Sequence, residues 1–151
     1  MSEWVKALGI DYGKARIGLA ASDDLGMLAH PVETVPAADR DASIARIAEV
    51  VEKRGILDVV VGLPLHMNGD EGLAVEGVRK YVKHLKKQLP ATIRYHEVDE
   101  RLSTSMAMDK LHAAGRTARN AKGIIDQAAA VEILQQWLDQ RADQETMIPF
   151  E

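Results

Sequence analysis

The chain has 151 residues, a formal net charge of −4 and no cysteine. That length suffices for one domain with its own core, and the lack of cysteine excludes disulfides, thiolate metal sites and thiol catalysis. The acidic balance counts against a protein that is basic all over for nucleic-acid binding. Any such contact needs a local basic patch, and cations bound at an acidic site would supply part of the missing charge.

Residues 4–11, WVKALGID, read as an apolar strand ending in an acid, Asp11. An ionised carboxylate at the edge of an apolar strand is costly unless something pairs with it. Residues 16–22, RIGLAAS, read as its hairpin partner, with Gly13 and Gly18 placed for a tight turn and a close backbone approach. Residues 31–36, PVETVP, are bounded by prolines, which points to an edge strand. The spacing of Ile44, Ile47 and Val51 predicts a helix over Asp41 to Arg54, closed by Gly55.

Residues 57–62, LDVVVG, have the β-branched run of a central strand buried on both faces. They lead into the loop GLPLHMNG. A helix from Glu71 to Leu89 follows, with Val78, Tyr81, Val82, Leu85 and Leu89 on its inner face. Its outer face carries Arg79, Lys80, Lys83, Lys86 and Lys87, as a solvated face does. Residues 92–98, TIRYHEV, make a fifth strand, followed by DERLSTS. Ser103 or Thr104 can cap a helix containing Met106 and Leu111. The basic stretch AAGRTARNAKG reads as a mobile loop, and a last helix is expected from Gly123 to about Arg141.

This order predicts a single α/β domain over residues 1–151. It is expected to hold a mixed five-stranded sheet, the first three strands antiparallel and the later ones parallel, flanked by helices. No apolar run approaches the ~20 residues of a membrane span, and MSEWVK has no signal-peptide pattern. The expected location is the cytoplasm, with no membrane partner.

In open α/β sheets functional groups gather beyond the carboxyl ends of the parallel strands. Asp11 ends the first strand and Glu100 follows the fifth. Asp126 opens the last helix on one face with Ala129, Ala130, Ile133 and Trp137, and the two alanines let that helix approach the sheet. Converging carboxylates repel and cannot all stay ionised without a cation. Oxygen ligands suit Mg²⁺ or Mn²⁺, and two such ions ~3.5–4 Å apart serve phosphodiester hydrolysis. Each acid also has a plainer reading. Asp11 can be a turn residue, Glu100 can pair with Arg101, and Asp126 can complement a helix dipole.

The basic residues with the best placement are Lys14 and Arg16 in the first turn, Arg101, and Arg116, Arg119 and Lys122 just before the Asp126 helix. They would hold backbone phosphates without reading sequence. Asn68 can meet a phosphate or simply make a turn. Tyr12, beside Asp11, is the aromatic best placed to stack on a base.

The segments DYGKARIG, VVVGLPLHMNG, DERLSTS and IIDQAAAVEIL, in this order, resemble the motif set of the YqgF/RuvX family over nearly the whole chain. The resemblance implies an RNase H-like fold related to RuvC-type Holliday junction resolvases. It implies Asp11, Glu100 and Asp126 as the catalytic metal-binding acids. It also implies a nuclease acting on structured RNA, in processing the 5′ end of precursor 16S ribosomal RNA, or on branched DNA as a Holliday junction resolvase. The chain departs from the family's DxGxK pattern: the Lys position holds Ala15, Lys14 stands one place earlier, and Arg16 is the candidate substitute. Two further classes stay open, a non-catalytic nucleic-acid-binding assembly factor and an actin-like ATPase module. A homodimer is also left open.

Overall fold

The computed structural model describes residues 5–65, 72–100 and 118–146, with the side chains of 118–126 and 143–146 excepted. Apolar runs at strand spacing build the sheet. Strand β1 spans Ala7–Tyr12, β2 spans Arg16–Ser22 and β3 spans Ala29–Pro36; after helix α1, Arg40–Arg54, strand β4 spans Asp58–Leu63. Helix α2, Leu73–Gln88, strand β5, Arg94–Asp99, and a long helix α3, Ala118–Thr146, complete the described elements. The predicted helix around Met106 and Leu111 falls outside the described residues.

The strands lie in the order β3-β2-β1-β4-β5. The pairs β1–β2 and β2–β3 are antiparallel, whereas β1–β4 and β4–β5 are parallel. The expected mixed sheet is therefore present, and β1 is its centre. Prolines 31 and 36 fall on the outermost strand β3, where a missing N–H costs no ladder bond.

Successive side chains of a strand alternate between faces, and the sheet accordingly carries two cores. Leu8, Ile10, Ile17, Leu19, Val59 and Val61 pack with Ile44, Ile47 and Val51 of α1 and Val78, Tyr81 and Leu85 of α2. On the other face Ala7, Ala20, Val60 and Val98 pack with Ala130, Ile133, Leu134 and Leu138 of α3. Every residue of β4 is buried, as its β-branched run predicts.

The helix boundaries follow local chemistry. Asp39 caps α1 by accepting from the Ala42 N–H, and Gly55 ends the helix in the left-handed region at φ 63°. The third helix departs from expectation, since residues 118–122 belong to it rather than to a loop. Alanine and arginine are strong helix formers, so Ala118, Arg119 and Ala121 continue the helix upstream and the polar composition does not break it. Among the described residues no helix is long and apolar enough to cross a membrane.

Candidate active site

By strand alternation Asp11 shares the α3 face with Ala7 and Gly9. In β4, Gly62 has the same parity as Val60, and in β5 Val98 pairs with Gly62. Glu100 comes one residue after β5 ends at Asp99, and its N–H donates to Leu63 O at 3.2 Å. Asp11 and Glu100 thus approach each other over the carboxyl ends of three neighbouring strands, β1, β4 and β5.

Gly62 lies between them and makes the approach feasible. A Cβ at Gly62 would collide with Glu100 Oε2 and with Ile133 Cδ1 of α3. Gly9 does the same one pleat lower, where a Cβ would sit 2.8 Å from both Ala130 O and Leu134 Cβ. These two bare positions let α3 lie close on the sheet, as its alanines suggested. The glycine of the first turn acts differently: Gly13 donates to Arg16 O at 2.9 Å, and a side chain there would strike that same carbonyl.

The Asp11 and Glu100 carboxyl groups are hydrogen-bonded to each other. Such a bond needs a proton held between the two carboxyls. Burial pushes the Glu100 carboxyl above its ordinary value of 4.5, the negative charge of Asp99 adds to this, and the bond from Asp11 opposes it. Glu100 Oε2 is buried and has no hydrogen-bond partner among the described residues. A buried oxygen without a donor is costly, and two carboxyls sharing one proton form an incomplete oxygen-donor set. A hard divalent cation fits such a set by displacing the proton and satisfying the orphaned oxygen.

Asp126 lies in α3, but its side chain is outside the described part, as are those of Arg119 and Lys122. Asn68, Arg101 and Arg116 lie outside the described residues. Among the described residues no three His, Cys, Asp or Glu side chains form a metal-holding group.

Lys14 and Arg16 are both exposed in the turn beside Asp11. Arg16 has the parity of Gly18, the cross-strand partner of Asp11, so it belongs to the face of Asp11. Of the two basic residues, Arg16 has the better placement for a ligand held at Asp11. Tyr12 points to the opposite face, where its ring lies 4.6 Å from that of Tyr81. It is thus committed to the α2 side, which weakens its claim as a stacking platform. Asp99 has the parity of Glu97, whose carboxylate meets Arg79 of α2 at 3.1 Å, so strand alternation turns Asp99 away from Asp11.

One buried acid was not singled out from the sequence. Asp58, at the amino end of β4, accepts two bonds from the Arg94 guanidinium at 2.9 and 3.0 Å and contacts His96 Nε2 at 2.8 Å. The His96 ring packs on Trp137 at 4.7 Å. These partners meet only through the β4–β5 register, in which Asp58 pairs with Arg94, so no local motif announces them.

A central strand flanked by one antiparallel and one parallel neighbour, with acids gathered at its carboxyl end, defines an RNase H-like fold. The fold recurs in Thermus thermophilus RuvC in complex with a Holliday junction substrate, with TM-score 0.56 and 18% identity over 91% of this chain and 96% of that one. It recurs also in the large terminase nuclease of the thermophilic phage G20c, with TM-score 0.53 and 15% identity over 89% and 82%.

The chain belongs to the RuvX family, described as Holliday junction resolvase, whose profile matches residues 5–140. A relative from Cutibacterium acnes named "Putative pre-16S rRNA nuclease" is 49% identical over 88% of this chain and 81% of its own length. One of the same name from Synechocystis sp. is 43% identical over 93% and 91%.

Proposed function

We propose that this protein is a metal-dependent endonuclease that hydrolyses phosphodiester bonds in structured RNA, acting in 5′-end processing of precursor 16S ribosomal RNA. The observation that carries the reading is the Asp11–Glu100 carboxyl pair with its buried, unpartnered oxygen at the carboxyl ends of β1, β4 and β5. Membership of the RuvX family and relatives named as pre-16S rRNA nucleases support the substrate class. Asp11, Glu100 and Asp126 would hold Mg²⁺ or Mn²⁺, as one ion or a pair. When bound, such ions supply charge stabilisation at the transferring phosphoryl group and lower the pKa of a water.

The chain's own residues divide the remaining work. Asp11 and Glu100 give up their shared proton and present oxygen ligands from a rigid strand end. Arg16, with Lys14 beside it, meets the phosphate backbone next to the scissile bond. We assign to the same phosphate contact Arg101, Arg116, Arg119, Lys122 and Asn68, from their positions in the sequence. This reading takes the chain as one domain working in the cytoplasm.

The test compares cleavage of a precursor 16S leader RNA with nicking of a four-way DNA junction, each with Mg²⁺, Mn²⁺ or a chelator. Chelator-sensitive cutting of the RNA supports the proposal. Paired nicks in the junction with intact RNA would transfer it to branched DNA, the reading favoured by the family's description. Cleavage unaffected by Asp11→Asn would instead leave a non-catalytic assembly factor.

A further inference from the structure

Gln127 follows Asp126 directly in α3, and its side-chain amide donates to Thr34 Oγ1 on β3 at 3.0 Å. Thr34 pairs with Gly18, and Gly18 pairs with Asp11. The three form one cross-strand row in which Thr34 and Asp11 stand two strand spacings apart, ~9.6 Å. Gly18 between them has no side chain, so nothing projects from the row between the threonine and the acid.

Eight residues further along α3, Gln135 makes a second tie to the same part of the sheet. Its Oε1 accepts from the Ala29 N–H at 2.9 Å and its Nε2 donates to Met27 O at 2.9 Å. Eight residues of helix span ~12 Å, and the two glutamines thus grip the hairpin edge at separated points. The intervening contacts, Ala130 on Gly9 and Ile133 on Gly62, are apolar or backbone packing. Such packing resists separation of the layers but allows small rotation and sliding more readily than a directional hydrogen bond. The Gln135 tie fixes the helix where it crosses the hairpin tip. The Gln127 tie fixes it one residue from Asp126.

We infer that Gln127 is a positioning residue: its bond to Thr34 sets the rotation and height of the first turns of α3 against the row that carries Asp11, and so places residue 126 relative to the Asp11–Glu100 pair. The inference rests on the metal-site reading proposed above. It assigns the two glutamines different duties, the one at 127 to the geometry of the site and the one at 135 to the attachment of the helix.

Calorimetric titration of Mn²⁺ into the full-length chain, with thermal unfolding of each metal-free variant, tests this. Gln127→Leu and Thr34→Val should each weaken Mn²⁺ binding about tenfold, and Thr34→Ser should restore it to within about twofold, the low end of what contacts behind metal ligands contribute. Gln135→Leu should lower the unfolding temperature and leave Mn²⁺ affinity unchanged. The inference is overturned if Gln127→Leu binds Mn²⁺ as the unaltered chain does while Asp126→Asn does not. It is equally overturned if Gln135→Leu weakens binding as much as Gln127→Leu, since the ties would then be interchangeable attachments. If Asp11→Asn and Asp126→Asn both bind Mn²⁺ normally, the metal-site reading itself is wrong and the positioning role goes with it.

Discussion

Asp58 begins β4 and Glu100 follows β5, so the two carboxylates stand at opposite ends of one pair of parallel strands, both toward α3. Asp58 is buried, and the chain supplies its partners: a two-pronged Arg94 and His96. Glu100 is half-buried with its Oε2 shut away from water, yet its neighbours are acids, Asp11 and Asp99, and that oxygen has no hydrogen-bond partner among the described residues. The same cost of burying charge is met internally at one end and left unmet at the other. An acid satisfied by its own fold is structural. On the function proposed above, an acid held at a cost, beside a second acid and under a helix, is held for a cation that arrives from outside.

The comparison predicts opposite signs for matched substitutions. Asp11→Asn or Glu100→Gln should lower cleavage by about a thousandfold or more, on the scale of losing a charge-stabilising group at the reaction centre. Unfolding midpoints should stay level or rise, because the cost of keeping a carboxyl away from water is removed. A large drop in midpoint together with retained cleavage would place these acids with Asp58.

Gly62→Ala comes next. The new methyl would meet Glu100 Oε2 and Ile133, and a displacement of about 1 Å in a reacting constellation costs roughly a hundredfold in rate. Its stability loss should be modest, about 1–3 kcal/mol for overpacking. Comparing rate and urea midpoint for this single variant separates crowding of the site from general damage.

Asp58→Asn should do the reverse. Losing one partner of a buried ion pair is strongly destabilising, but Arg94 is more than half exposed, so about 1–3 kcal/mol is expected after that screening. The folded fraction should cleave at a rate near that of the unaltered chain. An activity loss larger than the unfolded fraction explains would break the contrast.

The smallest effect is on pH dependence. The folded Glu100 holds its proton above the ordinary 4.5 of the unfolded chain, so the folded state binds protons more tightly. Stability from this group is fully present below pH 4.5 and is lost as pH rises through the raised value. Metal-free Glu100→Gln should lack that decline. Identical stability profiles for both proteins across this window would count against the shared-proton pair.

Much of this arrangement is legible along the chain, and the remainder divides by distance. Asp11 and Glu100 could be placed because each ends a strand whose apolar run is local, and Gly55 because a helix terminus is local too. Gly9 and Gly62 look like ordinary strand glycines until Leu134 and Glu100 are brought over them by long-range packing. The Asp58–Arg94–His96 cluster depends on inter-strand register, and neither His96 nor Asp58 carries a spacing signal. The start of α3 was obscured because a polar, basic composition suggests a loop, whereas Ala118 to Lys122 have the intrinsic preference to continue the helix.

The central position of β1 has a temporal consequence. Its antiparallel neighbours β2 and β3 follow at once in the chain and can form as the polypeptide emerges. Its parallel neighbour β4 must wait for α1, and β5 for α2. Contacts between distant segments are slow to form, and synthesis delivers them in order. A nascent chain that has completed its first three strands holds Asp11 and none of its companions. The carboxyl pair comes together only when β5 docks beside β4, so on the function proposed above a half-made chain carries an incomplete site.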